Sequence, residues 1–118
     1  FVNRAHRGVV AGVTFSPDGR TIASAGADRV VKLTDSRSGQ ELGQLAGFEC
    51  RVSCVAFSPD GRYLAAAGGE NKLGHLRVWD LSTSKVEISR EFAGEELRAV
   101  AFSPASTSIA TAGANGGL

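Results

Sequence analysis

Short apolar runs separated by turn-forming residues follow one another along the chain. Residues 10 to 15 are apolar and β-prone, and the next four residues, Ser-Pro-Asp-Gly, suit a type I turn. Similar runs predict strands at residues 21 to 25, 30 to 33 and 40 to 45. No stretch has a convincing helical period, so the pattern predicts an all-β fold.

This pattern occurs three times. Residues 13 to 20 (VTFSPDGR) return at 55 to 62 (VAFSPDGR) and, in shortened form, at 100 to 105 (VAFSPA). The first serine of the motif lies at 16, 58 and 103, so the two successive repeats are 42 and 45 residues long. A second run follows each motif: IASAG, then LAAAG, then IATAG. Four short strands per unit of about 40 residues are typical of a β-propeller blade.

The motifs resemble the WD-repeat family. Its unit opens with Gly-His, carries Phe-Ser-Pro-Asp-Gly between its first two strands, has an Asp before its third strand and ends that strand in Trp-Asp. The second repeat here ends in Val78-Trp79-Asp80, whereas the first ends in Leu33-Thr34-Asp35 and so lacks the Trp. The resemblance implies four-stranded antiparallel blades of a partial β-propeller, with one blade at 5–47, a second at 48–94 and an inner half-blade at 95–118.

The number of blades suggests how a ring would be completed. A propeller closes with about four to eight blades, and 118 residues provide only about two and a half. We therefore expect the rest of the propeller to come from the same parent chain or from oligomerisation. The apolar positions predicted to fill the space between blades are Phe15, Val55, Phe57, Leu64 and Phe102.

Three polar residues of the first repeat admit two interpretations. His6, Ser24 and Asp28 could be a base, a nucleophile and an orienting acid. The family resemblance implies instead a buried structural network of hydrogen bonds, in which Trp79 of the second repeat and Thr111 of the third match further positions. We expect the structural role.

Partner-binding residues are predicted from the resemblance, which places the bend after strand two on the top face of the propeller. In the second repeat this bend is three residues longer, and the inserted loop contains Glu70, Lys72 and His75. Further top-face positions are Arg51, Ser53, Glu96 and Arg98. His75 and Glu70 alone are too few ligands for a metal, so no metal or cofactor is predicted.

Composition narrows the classes of partner. The net charge of +1 gives no attraction to nucleic acid or to an acidic membrane surface, and no apolar run is long enough to form a membrane helix. Cys50 and Cys54 would lie about 13 Å apart on one strand, beyond disulfide reach. They are predicted to be free thiols, and we expect a cytoplasmic protein.

These observations favour a non-catalytic scaffold that binds other proteins, because the sequence has no metal ligand set, phosphate loop or credible nucleophile. The alternative is a regulatory or sensor propeller within a larger enzyme of the kinase or ATPase type. A nucleic-acid-binding propeller is a third and weaker possibility. The step from fold to function rests on family analogy.

Overall fold

A computed structural model describes residues 10–26, 29–45, 48, 50–105 and 108–113. These residues form ten strands in three antiparallel sheets. The strands are β1 (Val10–Phe15), β2 (Thr21–Gly26), β3 (Val31–Asp35), β4 (Glu41–Leu45), β5 (Val52–Phe57), β6 (Tyr63–Glu70), β7 (Leu73–Asp80), β8 (Lys85–Ala93), β9 (Leu97–Phe102) and β10 (Ile109–Gly113). Within the described ranges no helix is long and apolar enough to cross a membrane.

The sheets follow chain order. Strands β1 to β4 form the first sheet, β5 to β8 the second, and β9 pairs with β10 in the third. The all-β fold with four-stranded blades is thus confirmed. The blade limits at 5–47, 48–94 and 95–118 stay predictions, because several of the residues at those limits lie outside the described ranges.

The turn between the first two strands of each four-stranded sheet is held by its own side chains. In the first sheet the Ser16 hydroxyl donates to Asp18 over 2.5 Å, and the same carboxylate accepts from the Arg20 backbone N–H over 3.0 Å. The second sheet repeats both bonds, with Asp60 as the acceptor and the same distances. The repeated Ser-Pro-Asp-Gly motif therefore encodes one local hydrogen-bonding unit.

Apolar side chains alternate between the two faces of the second sheet, as expected for strands. Leu64 and Ala66 belong to a cluster shared with the first sheet, whereas Ala65 and Ala67 belong to one shared with the third. Trp79 lies in the former cluster and is only 2% exposed. The second sheet therefore forms the centre of the described structure and is packed on both faces.

The five apolar residues predicted to lie in the core differ in their burial. Val55 and Leu64 are buried, and Phe57 and Phe102 are partly buried against the two clusters. The prediction for Phe15 is wrong within the described structure, since this side chain is 59% exposed. The reason is positional: Phe57, its counterpart 42 residues later, packs toward the first sheet, and no described sheet occupies the matching place beside Phe15.

Candidate functional site

Most predicted partner-binding residues lie at one edge of the sheets. We call this edge the upper rim; there β6 turns into β7, and β5 and β9 begin. It carries residues from the second and third repeats, namely Arg51, Ser53, Glu70, Lys72, Glu96 and Arg98. His75 lies two residues inside β7 and is half-buried.

The inserted segment is a strand extension, not the loop expected from the sequence. β6 and β7 pair continuously up to Glu70 opposite Leu73, leaving only Asn71 and Lys72 in the turn. Both turn residues have positive φ, 54° and 61°, as a two-residue type I′ hairpin requires. A hairpin forms here because asparagine tolerates the left-handed conformation and because a type I′ turn matches the twist of the extended strands.

Glu70 joins three parts of the rim. Its Oε1 accepts the Arg51 backbone N–H over 2.9 Å, and its Oε2 accepts from the Arg29 guanidinium over 3.0 Å. The Arg51 N–H, followed by the charge of Arg29, lowers the pKa of Glu70 below its usual value. The side chain of Glu70 is 23% exposed and that of Arg29 is 52% exposed. The carboxylate is therefore engaged within the chain and links the first sheet to the hairpin.

The hairpin turn also contacts the third sheet. The Lys72 backbone N–H donates to the Glu96 carboxylate over 3.1 Å, and the Gly94 N–H donates to the Lys72 carbonyl over 2.6 Å. Gly69 allows this approach, since a Cβ on it would lie 2.9 Å from the Glu96 Cα. The turn is thus fixed by both neighbouring sheets.

Two predicted residues occupy equivalent irregularities. The β5–β6 register skips from Val52 to Cys54, which leaves Ser53 as the extra residue of a β-bulge. The β9–β10 register skips in the same way around Arg98. Bulges re-aim a side chain at a sheet edge. The repeated bulge therefore sets Ser53 and Arg98 apart from the regular pleat at matching places on the rim.

Arg51 and Arg98 differ from the rim carboxylates in their hydrogen bonding. Arg51 and Arg98 are exposed, and neither guanidinium makes a hydrogen bond or ion pair with another described residue. Arg51 also lines a shallow cleft of about 250 Å³ together with Gly69, Glu70, Asn71 and Glu96. Toward the described part of the chain, the guanidinium groups of Arg51 and Arg98 are thus unpaired, whereas the carboxylates Glu70 and Glu96 beside them are already bound.

His75 makes an aromatic contact. Its ring centroid lies 6.2 Å from that of Phe48 in an edge-on arrangement, and Phe48 is buried. A contact of this type stabilises the packing of two aromatic rings. His75 therefore supports the hairpin from below, in addition to any role toward a partner.

The predicted structural network is only partly within the described residues. Ser24 and Trp79 are each 2% exposed, and Thr111 is half-buried on β10. His6 and Asp28 lie outside the described residues, so neither the catalytic nor the structural interpretation of the set is tested. Thr34 takes the place of the missing Trp in the first sheet and is also 2% exposed.

Arg29 and Asn71 are the rim residues that sequence reasoning missed. Arg29 follows the bend of the first repeat and reaches across to the second. Its partner is 41 positions away, so no local pattern could identify it. Asn71 had a usable signal, because an asparagine at the centre of the Gly-Glu-Asn-Lys-Leu-Gly stretch favours a tight turn.

Metal and thiol chemistry can be described for part of the chain. Among the described residues, no group of three or more His, Cys, Asp or Glu side chains is placed to hold a metal ion. Cys50 is buried, Cys54 is half-buried, and both are free thiols, as predicted.

Comparison with known proteins agrees with the geometry. The sequence model of the WD40 family, described as WD domain, G-beta repeat, matches residues 1–35 and 39–80. The matches include β1 to β7, and the pairing of β9 with β10 adds the two inner strands of a further repeat. No curated protein matches the chain. Because the two matches together cover more than half of the sequence, the chain belongs to the WD40 repeat family.

Proposed function

We propose that this chain is a non-catalytic scaffold that binds partner proteins through its upper rim. WD40 repeats generally mediate protein–protein interactions. The observation that carries the proposal is the exposure of Arg51 and Arg98 on a rim whose carboxylates Glu70 and Glu96 are held by the chain itself.

The chemistry of these arginines indicates the kind of partner surface. An exposed guanidinium presents a planar set of N–H donors that pairs with a carboxylate through two hydrogen bonds. Arginine is also enriched among the residues that dominate binding energy at interfaces. The proposed partner surface therefore carries Asp or Glu side chains that face Arg51 and Arg98.

The rigidity of the rim supports this role. The turn residue Lys72 is hydrogen-bonded to the third sheet, and Glu70 is bonded toward the first. A rim held in place before binding loses less conformational entropy when the partner docks. The predicted binding residues Lys72 and Ser53 belong to the same rigid frame, and His75 lies just below it.

The experiment compares two pairs of charge reversals. The purified chain is immobilised, partners are captured from an extract of its own cells, and the captured protein is then titrated in purified form. The variant Arg51→Glu with Arg98→Glu is expected to weaken the affinity at least roughly tenfold, as for loss of interface hot spots. The matched control reverses Arg20 and Arg37, which are exposed near the opposite edge.

Two results would contradict the proposal. Unchanged affinity for the rim variant, with circular dichroism showing an intact fold, would remove the upper rim as the binding surface. Equal weakening by the Arg20 and Arg37 reversals would show that net charge alone governs the association. Affinity for the acidic partner is also expected to fall as salt rises, because exposed charges are screened.

The non-catalytic part of the proposal has a separate test. Ser24 is 2% exposed, so a serine-reactive phosphonate probe is expected to leave it unlabelled in the folded chain. Labelling of Ser24 would support the base–nucleophile interpretation instead. Nothing in the described residues supports the alternative of a regulatory propeller joined to a kinase or ATPase, and that alternative and the cytoplasmic location stay predictions.

A further inference from the structure

A groove separates the first and second sheets at their lower edge, where β1 and β5 end, on the side opposite the upper rim. Its volume is about 370 Å³, within the range of about 300 to 1,000 Å³ that is usual for ligand-binding clefts. Both sheets that form it contain all four of their strands. The groove is therefore a junction between two complete blades.

Apolar side chains form the floor of the groove. Leu33, Phe57 and Leu81 line it and are partly buried against the apolar cluster shared by the two sheets. Leu42 on β4 lines it as well and is 56% exposed. The core of the two sheets thus reaches the surface here as an apolar patch, and apolar patches bordered by polar groups are typical of interaction sites.

The charged side chains of the groove are carboxylates. Asp18 and Asp60 line it, and no Lys, Arg or His side chain of the described residues does. The arginines that follow the two turns face other groups: Arg62 forms an ion pair with Asp80 over 3.2 Å, and Arg20 lines a separate cleft. The groove therefore carries negative charge beside its apolar floor and is complementary to a cation.

One oxygen of each carboxylate is available to a ligand. The Oδ1 atoms of Asp18 and Asp60 are used within the turns, where each accepts a serine hydroxyl and a backbone N–H. The Oδ2 atoms accept no hydrogen bond from another described residue. The Ser16 and Ser58 hydroxyls, followed by the backbone N–H groups, lower the pKa of the two carboxyl groups, so both are ionised at neutral pH.

This pair of carboxylates is specific to the junction of the first two repeats. The third repeat has Ala105 where the first two have Asp18 and Asp60. A junction between the second and third repeats therefore carries one of these turn carboxylates, whereas the junction between the first and second carries two.

We propose that this groove binds a basic segment of a partner protein, with the aliphatic stem of a lysine or arginine on the apolar floor and its charged end at Asp18 and Asp60. Lysine and arginine side chains commonly cover apolar surface with their stems while the charged group stays in a polar environment. An apolar neighbour of the basic residue packs on the exposed Leu42. A wholly apolar segment would instead desolvate the two carboxylates without pairing them, which is costly.

The test uses a library of short random peptides and the full chain. The library is first exposed to the variant Leu42→Lys, which removes peptides that bind elsewhere, and is then selected on the unmodified chain. The selected peptides are expected to share a lysine or arginine beside a leucine, isoleucine or phenylalanine. A fluorescently labelled consensus peptide then gives the affinity by anisotropy.

Matched protein variants locate the site. Leu42→Lys brings a competing ammonium group into the groove and is expected to weaken binding at least roughly tenfold, as for loss of an interface hot spot. Val86→Lys makes a similar change on the outer strand of the second sheet, at a side chain that is 47% exposed and does not line the groove, and is expected to leave binding unchanged.

A second variant removes the charge and keeps the turns. Asparagine retains the Oδ1 acceptor that holds each turn and replaces Oδ2 by an amide nitrogen. Asp18→Asn with Asp60→Asn is therefore expected to weaken binding roughly tenfold, as for loss of two exposed ion pairs, with circular dichroism unchanged.

Several outcomes would overturn the inference. These are the absence of a consensus, a consensus without a basic residue, and equal loss of binding in Val86→Lys. Binding that is lost in Leu42→Lys but unchanged in Asp18→Asn with Asp60→Asn would show that the groove recognises apolar side chains alone. The inference does not depend on the rim proposal, since Arg51→Glu with Arg98→Glu is expected to leave binding of the basic peptide intact.

Discussion

Replacing Gly69 by alanine tests how closely the β6–β7 hairpin of the second sheet packs against the third sheet. Gly69 is buried near the end of β6 and lies opposite Gly74. A Cβ on Gly69 would lie 2.6 Å from the Leu73 carbonyl oxygen and 2.9 Å from the Glu96 Cα. Both are backbone atoms, so the strands themselves must move to accept the methyl group. That movement would strain the bond between the Lys72 N–H and Glu96.

The size of the effect follows from two opposing contributions. Overpacking of this kind costs about 1 to 3 kcal/mol. Alanine also restricts the unfolded chain, which offsets about 0.4 to 1 kcal/mol. The expected net loss lies between about 0 and 2.6 kcal/mol with a midpoint of about 1.3 kcal/mol, which corresponds to about 5 °C in Tm for a domain of this size.

Gly43→Ala provides the matched control. Gly43 also lies in a strand, β4, but a Cβ on it would meet nothing within 4 Å. The control is expected to be neutral or slightly stabilising. Urea unfolding followed by the emission of Trp79, the only tryptophan, gives both free energies of unfolding. A Gly69→Ala variant as stable as Gly43→Ala would refute the close approach of the hairpin to the third sheet.

Two further predictions concern the core and the turns. Trp79→Ala is expected to lower the free energy of unfolding by about 3 to 5 kcal/mol, because it empties a fully buried site. The control Val86→Ala, at a side chain that is 47% exposed, is expected to change the free energy of unfolding by less than about 0.5 kcal/mol. Urea unfolding followed by circular dichroism measures both values. The Ser58 hydroxyl, followed by the Arg62 backbone N–H, lowers the pKa of Asp60 below 3.8, so the folded chain binds fewer protons than the unfolded chain just below that pH. The contribution of the Asp60 carboxylate to stability is complete above its unfolded pKa and is lost as pH falls through its folded pKa. Between pH 6 and 3 the urea midpoint of Ser58→Ala is therefore expected to fall less steeply than that of the unmodified chain. An equal slope for the two proteins would contradict this role of the turn.

Local motifs made the strands and their first turn predictable. The side chains of Ser16 and Asp18 form hydrogen bonds with each other and with backbone groups no more than five residues away, so the Ser-Pro-Asp-Gly motif determines the turn. The alternation of Leu64, Ala65 and Ala66 between two clusters likewise follows from the two-residue period of a strand.

Features that depend on pairing between distant residues were not predictable in the same way. The bulges at Ser53 and Arg98 appear only in the register between strands. The exposure of Phe15 depends on whether a sheet lies against it, and its motif is the same as that of Phe57. The hairpin at Asn71 and Lys72 is different, since Glu70 and Leu73 pair locally across it and the asparagine was a usable signal that a count of residues did not include.

Non-local hydrogen bonds also determine which of the predicted binding residues can contribute affinity for a partner. From the sequence, Glu70 and Glu96 are as attractive for a partner as Arg51 and Arg98. In the folded chain Glu70 already accepts the backbone N–H of Arg51 in its own repeat, and Glu96 accepts that of Lys72 in the neighbouring repeat. A partner that took over either carboxylate would first have to break that bond, and a hydrogen bond of this kind contributes about 0.5 to 1.5 kcal/mol. Binding to the exposed guanidinium groups carries no such cost, so the arginines are the residues that can contribute net affinity.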